Sequence, residues 1–158
     1  MITKVNVSTI YECSLERAFK TPMLCDVSKI HTGFGIMPKV THTTDDKDWG
    51  KAGSCKKVYV AKSITQKGGF ASVDNLIERK ENQYWIIQVD NFQSWMLSFY
   101  KFVGRWEMKK YELTTHTVYI LTIFYFSHFV GFLAKLSGKR IWKEFWKILR
   151  EWYIIKSY

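Results

Sequence analysis

The sequence predicts an α+β fold, a seven-stranded antiparallel curved sheet wrapped around a long C-terminal helix, with two short helices between strands 1 and 2. Three observations predict it. Strand-like segments follow one another between turn signals instead of alternating with helical ones, the mark of an antiparallel sheet and not of βαβ units. The C-terminal stretch repeats apolar residues near the 3.6-residue period. Seven Trp, nine Tyr and eleven Phe make up 17% of 158 residues, and a sheet face built from them must be covered, which a long amphipathic helix can do.

Lys4 to Tyr11 alternates Val5, Val7, Thr9 and Tyr11 against Asn6, Ser8 and Ile10, the period of a half-buried strand. Ser14 is placed to cap a short helix through Leu15, Ala18 and Phe19, with Arg17 in place of the Glu of a capping box. Pro22, after Thr21, fits the first turn of a second short helix through Leu24 and Val27, and Gly33 and Gly35 close the helical region. Six strands are then expected near 36–44, 54–63, 69–79, 83–90, 95–109 and 115–127. Asp45 to Asp48, Gly68-Gly69, Glu81-Asn82 and Asp90-Asn91 separate the first five, whereas the turn at Glu112 to Thr114 has neither Gly nor Pro.

The terminal helix is expected from Val130 to Ile155, with Leu133, Leu136, Ile141, Trp142, Phe145, Trp146, Ile148, Leu149, Trp152 and Tyr153 on its apolar side. Lys139, Arg140, Lys143, Lys147 and Arg150 fall opposite. Gly138 in its interior costs about 1 kcal/mol against Ala, so a bend or a close packing contact is expected there.

Composition narrows the function classes. With 47% apolar and 24% charged residues the chain is globular, and its length suits one domain spanning 1–158. Cys13, Cys25 and Cys55 are odd in number and spaced for neither a disulfide framework nor zinc, so reduced thiols are expected. The N-terminus lacks the apolar core of a secretory signal, which makes a cytoplasmic location the expectation. The apolar run Val118 to Leu136 is interrupted by Ser127-His128 and reads as a strand running into an amphipathic helix, not a membrane span. The net charge of +10 favours anionic partners in general.

Four segments carry a resemblance. VNVSTIYECSLERAFKTPMLCDVS, WGKAGSCKKVYV, SVDNLIERKENQYWIIQV and FVGRWEMKKYELTTHTVYILTIFYF, in this order, resemble the opening strand and helix, the "G-x-G-x-x-R-x-V" strand, the paired fourth and fifth strands and the "G-x-W" strand of the SRPBCC superfamily. That superfamily has the helix-grip fold of START domains, birch-pollen-allergen-type proteins and the polyketide cyclase/dehydrase group. The resemblance implies a cavity between sheet and helix that binds a hydrophobic small molecule, or an enzyme of the cyclase, aromatase or dehydratase type. Many relatives carry Trp shortly after the position of Asp26. Here Ile30 and His31 stand there, so a gating aromatic is not carried over.

No catalytic constellation emerges from the residues. His31, His42, His116 and His128 lie at ligand spacing neither from one another nor from a Cys, so no metal is expected, and no cofactor. Gly33-Phe34-Gly35 and Gly50 to Gly53 lack Walker spacing and βαβ context and read as turns. Ser14 and Ser54 have no evident base.

Strand alternation is more informative. Met96, Ser98, Tyr100, Phe102, Gly104, Trp106 and Met108 share one face, expected inward. Val73, Asn75 and Ile77 are expected inward on another strand, opposite Trp85, Ile87 and Val89. The candidate cavity residues are therefore Asn75, Trp85, Ser98, Tyr100, Phe102, Trp106, Phe145 and Leu149, with Asn75, Ser98 and Tyr100 to orient a lipid, aromatic or polyketide-like ligand, or Tyr100 or a histidine to move protons in the enzyme reading. The aromatics alternate toward the core and are not interleaved with exposed cations, so nucleic acid is not an expected partner. The basic helix face leaves an interaction module, in peripheral contact with a membrane or with a macromolecular partner, as a third reading.

Overall fold

Alternation decides which face of each strand is buried. In the computed structural model, which describes residues 1–94 and 99–155, β1 (Ile2–Tyr11) buries Val5, Val7 and Tyr11 and leaves Ile10 outside. Two short helices follow, α1 (Leu15–Leu24) and α2 (Val27–Ile30), and then β2 (Val40–Asp45), β3 (Cys55–Val60), β4 (Gly69–Lys80), β5 (Tyr84–Asp90), β6 (Phe99–Tyr111), β7 (Thr114–Tyr125) and α3 (His128–Ile155). The strands form one seven-stranded antiparallel sheet in the order β1-β7-β6-β5-β4-β3-β2.

Ser14 caps α1 by accepting from the Arg17 amide. Pro22 does not restart the chain as the sequence suggested. It lies inside α1, where its ring is buried, and the apolar surface it removes from water offsets the hydrogen bond its missing N–H gives up. The second helix instead begins after Asp26, whose carboxylate accepts from both the Ser28 amide (3.0 Å) and hydroxyl (2.7 Å). The β6–β7 turn, which has no glycine, is made by Glu112 in the left-handed region at φ 53° and closed by the Thr114 hydroxyl donating to the Tyr111 carbonyl.

Helix α3 lies against the inner face of the sheet. A Cβ at Gly138 would stand 2.8 Å from Val5 Cγ2, so this glycine lets the helix approach β1 closely. Beyond it Trp146 stacks between Tyr11 (centroids 5.8 Å apart) and Trp106 (5.5 Å), and Leu149 is fully buried. These contacts fill the far end of the helix–sheet interface. Leu136, expected on the apolar side, is 63% exposed. It shares the outer face with Phe129 and Phe132, because the buried stripe of this part of the helix runs through Val130, Ala134 and Gly138.

Candidate functional site

Between the middle of the sheet and the first half of α3 the packing opens into a cavity of about 250 Å³. The floor is the inner face of β3 to β7, α3 supplies Ala134, Ile141, Trp142 and Phe145 as the roof, and α1 with the segment after α2 closes the side. An adjoining recess of about 90 Å³ shares His31, Met37, Pro38, Ile141 and Phe145 with it. The short loop that hinges on the Phe34–Met37 bridge borders this recess.

The register across the sheet sets what faces inward. One transverse row runs Trp85, Trp106, Tyr119, Val7 and a second Leu76, Ile87, Gly104, Leu121, Val5. Gly104 is the gap in the second row. A Cβ there would fall 2.5 Å from Tyr119 Oη, so the phenol ring lies directly over the bare backbone of β6. Burial pushes the Tyr119 hydroxyl well above the ordinary tyrosine range, so it stays protonated.

Four sequence-predicted residues, Trp85, Phe102, Trp106 and Phe145, line the cavity. Ser98 lies outside the described residues. The other three are corrected. Tyr100 faces outward at 41% exposure, packing on Phe124 and Phe126, because a bulge between Phe99 and Lys101 reverses the alternation and turns Phe99 inward in its place. That removes Tyr100 as an orienting or proton-moving group. Asn75 stands on the outer face, its amide donating to the Gln88 carbonyl and to Asp90. The pairing of Leu76 with Ile87 and of Asp74 with Val89 puts Asp74 and Leu76, and not Asn75, on the apolar side of β5. Leu149 is in the solid core at the far end of α3 and does not touch the cavity.

In place of Asn75 the sheet turns Asp74 inward, beside Lys56. The two are direct cross-strand partners of β3 and β4, so their side chains share the inner face. Lys56 is only 3% exposed, and its ammonium lies 4.1 Å from the centroid of the Trp49 ring, whose Nε1 donates to the Met23 carbonyl. Burial pulls the Lys56 ammonium below its ordinary range, with Asp74 and Asp45 pulling back. Burial raises the Asp74 carboxyl to about 6 against the attraction of Lys56.

His31 stacks on Phe145 (4.7 Å) and meets Trp142 edge-on, and burial lowers it to about 4, so its ring is neutral at ordinary pH. Sequence reasoning missed Lys56 and Asp74 because in CKKVYV and SVDNL each is one of two adjacent polar residues, and only strand pairing decides which of them points in.

Among the described residues no group of three or more His, Cys, Asp and Glu is placed to hold a metal ion, and no helix is long and apolar enough to cross a membrane. No disulfide joins Cys13, Cys25 or Cys55.

A helix-grip, Bet v 1-like fold is what this architecture defines, and the crystal structure of Ara h 8.0201 superposes on it with a TM-score of 0.66. That match covers 94% of this chain and 99% of the other at 12% sequence identity, a likeness of fold. No protein-family model matches the sequence, and neither does any curated protein.

Proposed function

We propose that the protein binds a hydrophobic small molecule, of lipid, aromatic or polyketide-like type, in the cavity between the sheet and α3. The observation that carries this reading is the cavity itself, about 250 Å³ with mostly apolar walls, left open in a core that elsewhere is tightly stacked. An apolar cavity of about 150 Å³ already admits benzene, so this one suits a larger guest. A ligand that buries about 300 Å² of apolar surface gains roughly 7 kcal/mol before the costs of ordering.

The test is native mass spectrometry of freshly purified protein, followed by calorimetric titration of the emptied protein with short-chain lipids and naphthalenes. Binding that is lost on filling the roof with Ala134→Phe supports the reading. Failure of every apolar probe to bind the folded wild type refutes it.

A second reading has its own observation. The outer face of α3 presents Phe129, Phe132 and Leu136, with Phe126 just before the helix, all more than half exposed, and then Lys139, Arg140 and Lys143. Apolar residues followed by cations on one helix face suit an anionic membrane surface. Sedimentation with phosphatidylserine vesicles that is lost in a Phe129→Ser, Phe132→Ser protein supports this contact. Sedimentation equal to that with neutral vesicles, or none at all, counts against it.

A further inference from the structure

Lys56 is the only charged side chain among the described residues that is buried, and it is buried against a cavity. It reaches that cavity between two acidic cross-strand partners, Asp45 on β2 and Asp74 on β4. Even so, among the described residues no carboxylate oxygen comes within the 4.0 Å of an ion pair with its ammonium. The ammonium stands instead over the Trp49 ring. A cation withdrawn from water, held by a ring face and by carboxylates that stand beyond ion-pair distance, is incompletely compensated. The cavity wall beyond it runs through Val58, Val60, Phe102 and Ile123, which offer nothing but apolar surface.

We propose that the ligand of this cavity is an amphipathic monoanion, a hydrophobic carboxylate, sulfonate or sulfate ester, whose charged head is received by the Lys56 ammonium beside Asp74 while its apolar body lies along β4 to β7. This inference rests on the hydrophobic-ligand reading above and narrows it to a charge class.

The neighbours of Lys56 set how such binding depends on pH. Asp74 shares the inner face. Asp45 on the edge strand, Asp26 at the start of α2 and Cys25 between the helices act on Lys56 from outside the cavity, and Asp90 on β5 acts on Asp74. His31 and Tyr119 are neutral at ordinary pH, and the roof residues from α3, Ala134, Ser137, Gly138, Ile141, Trp142 and Phe145, bring no charge. Asp74 is therefore the group that decides the charge felt by an incoming anion. Ionised, it opposes the anion; protonated, it donates a hydrogen bond to the same head. Its carboxyl titrates near 6, so an anion binds with uptake of a proton above that pH.

The experiment is calorimetric titration of the whole, ligand-stripped protein with 1-octanesulfonate, which stays ionised throughout, and with 1-octanol, at about pH 5.5 and about pH 8. In the wild type at the lower pH the sulfonate should bind at least about tenfold tighter than the alcohol. Its affinity should then fall at least about tenfold at the higher pH, while that of the alcohol stays level. Lys56→Met should abolish the preference for the sulfonate and keep alcohol binding. Asp74→Asn should hold the sulfonate affinity constant across the two pH values, and this variant with the wild-type pH series decides the matter if Lys56→Met does not fold. Equal binding of the two probes at both pH values overturns the anionic anchor and leaves the cavity reading standing. Binding of neither probe overturns both.

Discussion

Replacing Gly104 by Ala tests whether the contact between β6 and the Tyr119 ring shapes the cavity floor. The added Cβ would stand 2.5 Å from Tyr119 Oη, 2.8 Å from Cε2 and 3.0 Å from Cζ, so the whole edge of the ring must lift. The ring is wedged against Trp106 and Trp142, each with centroids 4.4 Å away, so it can move only toward the open cavity. Overpacking of this kind costs about 1–3 kcal/mol, and the loss of glycine's backbone freedom returns about 0.5–1 kcal/mol. A net destabilisation of about 1–2 kcal/mol follows, together with a smaller cavity. Urea denaturation followed by tryptophan fluorescence measures it, and a double-mutant cycle with Tyr119→Leu isolates the contact. The two changes should be non-additive by more than about 0.5 kcal/mol, with the second rescuing the first. Additive effects, or a Gly104→Ala protein more stable than the wild type, would refute the reasoning.

Trp106→Ala should cost about 3–5 kcal/mol in the same assay, since this indole is 4% exposed and stacks on both Trp85 (4.8 Å) and Trp146 (5.5 Å); a loss below about 1 kcal/mol would show that the stack contributes little. The Asp74 carboxyl is raised in the folded protein, so the folded state holds its proton more tightly than the unfolded one, and stability present below the ordinary aspartate range is lost as pH rises through about 6. Asp74→Asn should therefore gain up to about 3 kcal/mol over the wild type near pH 8 and little near pH 4, as measured by denaturation midpoints at the two pH values. His31, lowered to about 4, acts in the opposite direction, binding its proton more weakly when folded, so its stabilising contribution is complete above about 6.5 and is lost as pH falls toward 4. A His31→Gln protein should be less sensitive to acid across that window, and unchanged acid sensitivity would remove His31 from the account. All three cysteines should react with a thiol reagent in denaturant without prior reduction.

The fold was legible because its signals are periodic and long. Val5, Val7 and Tyr11 on β1, and the alternation from Thr115 to Tyr125 on β7, each bury one face consistently. The site was legible where that alternation is unbroken, at Trp85, Trp106 and Phe102. It was lost where a single extra residue reverses it, as the bulge between Phe99 and Lys101 does for Tyr100. It was lost also in β4, where hydrophobicity alone favoured Val73 and Ile77 as the inner pair, yet pairing with β5 turns Ser72, Asp74 and Leu76 inward. A buried lysine beside an inward-facing aspartate has no signature in composition or period, because neither residue is expected inside. Pro22 misled for a related reason: its usual place is a helix start, and here tertiary burial keeps it near a helix end.

The position of β1 at one margin of the sheet carries a consequence for assembly. Strands β2 to β7 can zip up successively as neighbouring hairpins, but β1 pairs only with β7, Val5 opposite Leu121, so its partner is the strand of the sheet furthest from it along the chain. Loop closure over that span slows folding more than any hairpin does. Until it happens the tyrosine and valines of β1 have no cover, α3 has no β1 surface to dock on beside Gly138, and the chamber lacks its roof. The cavity therefore takes its final form only once the first and the last strands of the sheet have met.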